Sequence, residues 1–600
     1  MAERFVSMRN VRFLLYEVFG VQSLCERKRF SGHTKKTFDM ILDATFKLAR
    51  DQFFPICGEM DEHPPYLENG VVKVHPNVSR IMRELGEGGW TSAAFPPEQG
   101  GDGLPFSVTI MNHFIFNAAN YSAAIFPELA SGAARLITSF GSKELNEIYV
   151  PNMLAGRWQG TMALTEPQAG SSLSDIVTEA QPTGEGWYGM EGHKIFISAG
   201  DHDGAENVVH LMLAKIPGGP LGVKGISMFV VPKLRPESGG FVPNDVTVTQ
   251  VFHKLGYRGA PLTELAVGEK GECRGYLVGE PNKGLKYMFQ LMNEARLGVG
   301  TGAAGIASAA YHEALEYVKK RTQGRNIASK DPALPQIPII EHADVKRMLL
   351  FQRGVVEGGI SLILECCMAL DKAETETGEE KEKWEMLLEI LTPIAKTYPS
   401  EMGILSCSQA IQCLGGYGFC EDFSVEQYYR DMRIHPIHEG TTGIQAMDLL
   451  GRKCVMNGGK ALMAFLGEAG KTVQEALGVS AFAPLAKKLG EALEILQNTV
   501  MTLVGKAQAK GPDAFLADAT LFLECFGHIA ISWQWLKQAL AANAALAKNP
   551  SGGEKDFYEG KIYTCRYFFA YELPKTLGLF ARLSEDDPIT LQMQPKHFTF

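Results

Sequence analysis

The stretch Tyr429-Arg430-Asp431-Met432-Arg433-Ile434-His435-Pro436-Ile437-His438-Glu439-Gly440-Thr441-Thr442-Gly443-Ile444-Gln445 sets one carboxylate, Glu439, in a Gly/Thr turn between two helical patterns. A carboxylate followed at once by Gly sits where backbone approaches a ligand closely. A base and the N–H that polarises a carbonyl then come from a single residue, which suits removal of a proton beside that carbonyl. The plain alternative is a solvated turn Glu, and composition alone leaves both open. His435 and His438 beside Glu439 resemble a metal cluster. Pro436 breaks the helix that would put both imidazoles on one face, and no further ligand follows at metal-site spacing, so no metal is expected.

Two other segments have chemical potential. Met162-Ala163-Leu164-Thr165-Glu166-Pro167-Gln168-Ala169-Gly170-Ser171-Ser172 combines hydroxyls with a small-residue turn whose N–H groups suit a flavin edge or a pyrophosphate, with an ordinary surface turn as the rival reading. Gly300-Thr301-Gly302-Ala303-Ala304-Gly305 fits GxGxxG but follows the helical run 288–297 instead of a strand. That context fails the dinucleotide reading and favours close packing of one helix on another.

The elements that must position these groups are legible in outline. Residues 1–34 form an N-terminal arm, with Phe13 to Gly20 as a short helix ended by Gly and no partner that can be named. Residues 35–160 read as a helical domain, clearest at 38–46 and 108–119. Residues 161–280 are β-rich, in runs such as Lys194-Ile195-Phe196-Ile197-Ser198 separated by Gly/Pro turns, and read as a barrel or sandwich. Residues 281–456 return to long helices, with 371–385 as a solvated charged loop. Residues 457–600 form a further Ala/Leu-rich helical block. The fold class is therefore multidomain α+β.

Composition narrows the function. The 600 residues are 45% apolar, enough for several domains. A net charge of -10 supplies no basic field for a polyanion, so nucleic acid is not an expected partner. Eleven scattered Cys with no CxxC fit a reducing cytoplasm, the N-terminus lacks a secretory pattern, and no membrane span is expected.

Taken together, Thr165-Glu166-Pro167 with Gly170-Ser171, Lys194 to Ser198, Gln412-Cys413-Leu414-Gly415-Gly416-Tyr417-Gly418, and Tyr429-Arg430-Asp431 running into Glu439-Gly440-Thr441 closely resemble the acyl-CoA dehydrogenases in order and spacing. Arg296 within Met292 to Arg296 and Pro97-Glu98-Gln99-Gly100-Gly101 add to the match, which covers roughly 35–455. The arm, the segment His253 to Leu285 and the last block resemble the larger branch of about 600 residues. That branch includes 3-(methylthio)propanoyl-CoA dehydrogenases and some broad-chain acyl-CoA dehydrogenases, so a thioether-bearing, short straight, branched or aromatic acyl group all stay open.

The resemblance implies a helical domain, a β-barrel and a four-helix bundle that hold FAD, plus an added C-terminal helical domain. It implies that Glu439 removes the α-proton of an acyl-CoA while hydride passes from the β-carbon to flavin N5, giving a trans-2-enoyl-CoA. The Glu439 N–H and a flavin ribityl hydroxyl would stabilise the enolate-like oxygen. Burial would raise the pKa of Glu439. Cofactor contacts carried over are Met162, Leu164, Thr165, Gly170, Ser171, Phe196, Ser198, Arg321, Gln412, Gly415, Gly416 and Thr441; substrate contacts are Ser171, Arg296, Glu439 and Gly440. Gln412, Gly415 and Gly416 match a turn that meets the adenosine half of FAD from a neighbouring subunit, which implies a homodimer. The usual Arg-x-x-Phe-Gly appears here as Arg321-Thr322-Gln323-Gly324, without its aromatic. Some members place the base near the position of Ala295, which cannot take a proton; its neighbour Glu294 would face away. Phe114, Phe116 and Tyr121 are expected near the floor of the acyl pocket. An electron-transfer flavoprotein is the implied acceptor. The rival functions are an acyl-CoA oxidase, a DNA-associated flavoprotein of the same fold, and a non-catalytic assembly protein; mixed charge after Gly458 and the retained Glu439 speak against the last two.

Overall fold

In the computed structural model the described residues are 4–328 and 331–599, apart from the side chains of residues 290 and 291. The first three residues of the expected arm and the last residue of the final block lie outside them. The chain divides into two compact units, one of Lys36–Pro105 with Ile115–Ala295, the other of Met1–Lys35, Phe106–Phe114 and Arg296–Phe600.

The chain opens with α1 (Met8–Arg12), which belongs to the second unit. The first unit begins with α2 (Lys35–Leu48), α3 (Cys57–Glu62), β1 (Tyr66–Glu68), β2 (Val71–Lys73) and α4 (Asn77–Glu87), and continues from Ile115 of α5 (Phe106–Phe140) into α6 (Lys143–Leu154). The β1–β2 hairpin interrupts what the sequence reads as purely helical. Its turn residues Asn69 and Gly70 both take positive φ, 50° and 77°, the pairing that matches the twist of a two-residue hairpin. The apolar run that starts at Val108 ends at a break, because Asn120 leaves helical geometry. Its side chain donates to the Phe53 carbonyl and accepts from the Ala123 N–H, capping the continuation.

The β region comprises β3 (Trp158–Ala163), β4 (Glu179–Pro182), β5 (Tyr188–Ser198), β6 (Asn207–Lys215), β7 (Ile226–Pro232), β8 (Leu234–Glu237), β9 (Gly240–Pro243), β10 (Val246–Val251), β11 (Leu262–Val267) and β12 (Arg274–Leu277). Eight of these form one sheet in the order β10-β11-β5-β12-β7-β6-β3, with β4 against β5 and β6. Period-two alternation splits the sheet's side chains between two cores. Val209, Leu211 and Leu213 of β6 pack with Tyr149, Val150 and Met153 of α6, whereas Met212 and Ala214 join Phe229, Val231, Leu265 and Val267.

The second unit is helical: α7 (Gly284–Lys320), which enters it at Arg296, then α8 (Ala343–Ala373), α9 (Gly378–Leu414), α10 (Val425–Met432), α11 (Thr442–Asp448), α12 (Lys460–Leu477), α13 (Ala483–Lys510), α14 (Pro512–Leu516), α15 (Ala519–Leu546), α16 (Gly552–Tyr567) and α17 (Thr576–Ser584). The charged stretch 371–385 is not a loop. α8 runs to Ala373 and α9 starts at Gly378, because the charges of this stretch lie mainly on exposed helix faces. Asp371 is buried and accepts from the N–H groups of Phe106 and Ser107, capping the start of α5. The sequence does contain one stretch, Pro512–Leu546, that is long and apolar enough to cross a membrane by length and composition alone. Most of its apolar window is buried, with Phe522, Phe526, Trp533 and Trp535 in the core of the last block.

α15 packs on α8, α9 and α11 of the bundle. Trp535 donates to the Gly354 carbonyl at 3.0 Å, and Gln534 joins Ser361 and Glu365. The same block supplies the partner of the N-terminal arm. Phe13 meets Phe557 edge-on at 5.3 Å, Arg9 bonds Glu554 and Tyr558, and the buried Lys561 reaches Asn10, Glu357 and Gln538. Phe13 is fully buried, so Phe13→Ala should lower unfolding stability by about 3–5 kcal/mol. Denaturant unfolding of the whole chain checks this, and a loss under 1 kcal/mol would mean the arm is only loosely held.

Candidate functional site

The Glu439 loop is built on α9. Gly300 of α7 sits so close to that helix that a Cβ there would lie 2.2 Å from the Ala395 carbonyl oxygen. The GxGxxG match is thus a helix-packing device, and it brings α7 against Ala395 and Lys396. Lys396 is fully buried and its ammonium donates to the His435 carbonyl at 2.5 Å and the Gly440 carbonyl at 3.0 Å. The Thr442 hydroxyl donates to Glu401, and the Thr442 N–H donates to the Pro436 carbonyl at 3.0 Å. Gln445 reaches back to the Glu439 and Gly440 carbonyls. Thr441 caps α11, its hydroxyl accepting from the Ile444 N–H.

Within this frame Glu439 takes φ +51° and Gly440 φ +93°. A non-glycine residue in the left-handed region is uncommon and is held only where its surroundings over-determine it. Glu439 is half-buried, and among the described residues neither its carboxylate nor its N–H makes a hydrogen bond. Burial pushes its carboxyl above the ordinary carboxylate range, opposed by the charges of Lys396 and then Arg296. Burial likewise lowers Lys396 to about 8 against the pull of Glu439 and Glu401. Arg296 is buried in an ion pair with Asp448 at 2.8 Å, and Asp448 also holds Arg452. That pairing fits an ordering role for Arg296. Glu294 forms an ion pair with Arg135 at 3.0 Å.

At the far end of α9 a cavity of about 640 Å³ is lined by Arg321, Gln412, Gly415 and Gly416 together with Tyr317, His342 and Tyr417. Four residues expected at the cofactor are thus brought together. Gly415 takes φ +61° and ψ −135°, a conformation essentially confined to glycine, and nothing occupies the space a Cβ would fill. Gln323 of the same motif also lines the cavity, where it accepts from Arg321 at 3.3 Å.

The other expected cofactor contacts lie in the first unit. The turn after β3 is closed by paired hydrogen bonds of Glu166 and Ala169, and the Ile195 N–H donates to the Thr165 carbonyl at 2.9 Å. Beneath it Glu166 and Lys194 form a fully buried ion pair at 2.8 Å. Burial alone would raise Glu166, but Lys194, the Thr178 hydroxyl and the Val177 N–H outweigh it and hold the carboxyl below its ordinary range. The pair locks the Thr165 turn to β5, so both residues serve the framework. Phe196 takes φ +58° with its ring 53% exposed and tilted against Phe252 at 4.9 Å. Strain in a bulky residue whose side chain faces outward makes Phe196 a candidate functional position. Met162 and Leu164 are partly buried against the core, Ser198 is half-buried, and Gly170 and Ser171 are exposed. Phe116 stacks on Phe53 at 4.8 Å and Tyr121 tilts on Tyr257 at 4.9 Å, so both rings are engaged in packing.

Lys396, Glu401, Asp448 and Phe252 escape sequence reasoning. The available signal is a lone Lys in the otherwise uncharged stretch Leu391 to Tyr398.

Four family models match the chain: "Acyl-CoA dehydrogenase, N-terminal domain" over 36–157, "Acyl-CoA dehydrogenase, middle domain" over 161–268, "Acyl-CoA dehydrogenase, C-terminal domain" over 282–453, and "Acetyl-CoA dehydrogenase C-terminal like" over 465–594. The chain is 39% identical over 550 residues to a 3-methylmercaptopropionyl-CoA dehydrogenase of Ruegeria pomeroyi, covering 90% of this chain and 92% of that one. It is 32% identical to a butyryl-CoA dehydrogenase of Syntrophomonas wolfei, covering 98% of each. An acyl-CoA dehydrogenase of Bacillus anthracis solved with FAD has the same fold, with a TM-score of 0.72, 20% identity and 93% of each chain covered. The chain belongs to the acyl-CoA dehydrogenase family, an oxidoreductase family whose cofactor is FAD.

Proposed function

We propose that the protein dehydrogenates an acyl-CoA thioester at its α and β carbons, with Glu439 as the base. The observation that carries this reading is a carboxylate with its pKa raised by burial and no hydrogen-bond partner among the described residues, on the residue whose own N–H is also unspent. A carboxylate with a purely structural task is ordinarily paired with protein donors. This one is kept available and made more basic. The Glu439 N–H would donate to the thioester carbonyl as negative charge builds on its oxygen, and losing such a donor typically costs about 3–4 kcal/mol of transition-state stabilisation.

FAD, when bound, supplies the acceptor for the hydride leaving the β-carbon. The donor set fits such a cofactor: the cavity at Arg321, Gln412, Gly415 and Gly416 is open to a polar nucleotide half, with Gly415 leaving room that a Cβ would fill. Thr165 and Ser198 would hydrogen-bond the isoalloxazine edge, Phe196 would cover its face, Met162 and Leu164 would pack beside it, and Thr441 would contact it from the Glu439 loop. Gly170 and Ser171 would lie near the pyrophosphate or the CoA.

A short acyl group, with 3-(methylthio)propanoyl-CoA as the first to test, is supported by the relative at 39% identity. A homodimer is supported by exposed aromatics in this turn: Tyr417, which lines the cavity, is 59% exposed, and Phe419, two residues on, is 88% exposed. An electron-transfer flavoprotein as acceptor and a cytoplasmic location complete the proposal, the latter resting on eleven scattered cysteines with no CxxC.

Three outcomes are expected. Glu439→Gln should keep its FAD and lose roughly 100- to 10,000-fold in acyl-CoA oxidation by a dye acceptor; undiminished turnover would sink the assignment. The rate of flavin reduction should rise with pH through a midpoint above the usual carboxylate range, since only the ionised form of Glu439 takes a proton and its pKa is raised. A midpoint at an ordinary carboxylate value would contradict this. Gly415→Val cannot take the native backbone conformation, so the purified protein should carry little FAD; full occupancy by absorbance would remove the cavity from the cofactor site.

A further inference from the structure

The interior of the second unit holds a buried ammonium to which neither the family match nor the proposed reaction gives a task. Lys396 lies on α9 between Pro393 and Pro399, which fix that part of the helix. Its two acceptors, the carbonyls of His435 and Gly440, belong to residues on either side of Glu439. One cation therefore ties together the two ends of the short segment carrying the carboxylate, and Glu401 on the same helix takes the hydroxyl of Thr442 just beyond it. We propose that Lys396 is the positioning residue of the Glu439 loop, stapling its backbone so that the carboxylate and N–H of Glu439 stay aimed at a bound thioester. This rests on Glu439 being the base.

The groups that face this staple are few. Glu439 and Glu401 favour the ammonium, Arg296 of α7 opposes it, and His435 and His438 are held neutral by burial. Arg296 is already paired with Asp448, and Lys453, lowered to about 7 by burial, is paired with Glu389. Lys396 is also the first-ranked charge holding down the pKa of Glu439. Its removal should therefore both loosen the loop and shift Glu439 further toward its protonated form. Methionine keeps much of the side-chain length without the charge, whereas arginine keeps a charge that does not titrate.

The experiment uses the FAD-loaded enzyme and anaerobic stopped-flow bleaching with whichever saturated acyl-CoA reduces the wild type fastest, across pH. Lys396→Met is expected to keep FAD and thioester affinity, to lose roughly 100-fold in limiting rate, and to move its acid limb to higher pH. The wild-type rate should fall on the alkaline side as Lys396 deprotonates, near about 8, and this limb should move to higher pH in Lys396→Arg. A Lys396→Met enzyme whose folded, FAD-bound fraction bleaches at the wild-type rate with an unmoved acid limb would overturn the inference. So would an alkaline limb unchanged in Lys396→Arg, which decides the matter even where the methionine variant does not fold. Glu439→Gln run in parallel separates the two claims: wild-type bleaching in that variant discards the base itself, whereas an inactive Glu439→Gln beside a normal Lys396→Met discards only the staple.

Discussion

Holding a carboxylate partly out of water without pairing it to protein donors is costly, and the architecture around Glu439 is organised by that cost. A buried charge is normally paired and hydrogen-bonded, or else it is neutralised. Glu439 instead has cations nearby that do not touch it: Lys396 bonds the flanking carbonyls and Arg296 bonds Asp448. Their fields offset part of the desolvation while the oxygens stay unspent. Had either cation formed a direct pair, the pKa would fall and the carboxylate would be a weaker base.

This arrangement requires two long helices to approach at one point and a loop to hold a strained turn. Gly300 permits the first by lacking a Cβ against the Ala395 carbonyl. The second depends on tethers from Lys396, Glu401 and Gln445, which fix the left-handed conformations of Glu439 and Gly440. The first unit shows parallel logic at Phe196, where the buried Glu166–Lys194 pair anchors the strand whose aromatic takes a positive φ. In both cases a buried cation stabilises backbone that carries an exposed or unpaired functional side chain. The C-terminal block adds rigidity from outside, with α15 against α8, α9 and α11 and the N-terminal arm clasped by α16.

Much of this was readable in advance where local chemistry and local structure coincide. The Gly/Thr turn at Glu439, the apolar runs of β6 and β7 and the small residues at 300–305 each carry a local signal of what they form. The Asn69-Gly70 pair is an equally local hairpin signal, set inside a helical neighbourhood. Other features depend on distant partners. Lys396 looks like a stray charge until its two carbonyl acceptors arrive from about forty residues away. The arm gains its meaning from Glu554, Phe557 and Lys561 at the other end of the chain. The stretch 371–385 was misread because charge density describes a surface and does not tell a loop from the outer face of a helix.

The most direct test of the account is anaerobic bleaching of the FAD-loaded wild-type protein against a series of saturated acyl-CoA thioesters that includes 3-(methylthio)propanoyl-CoA and butanoyl-CoA. The account predicts rapid loss of the oxidised flavin band with a short acyl chain and appearance of the matching trans-2-enoyl-CoA. Protein that carries FAD yet shows no bleaching with any thioester in the series would contradict it.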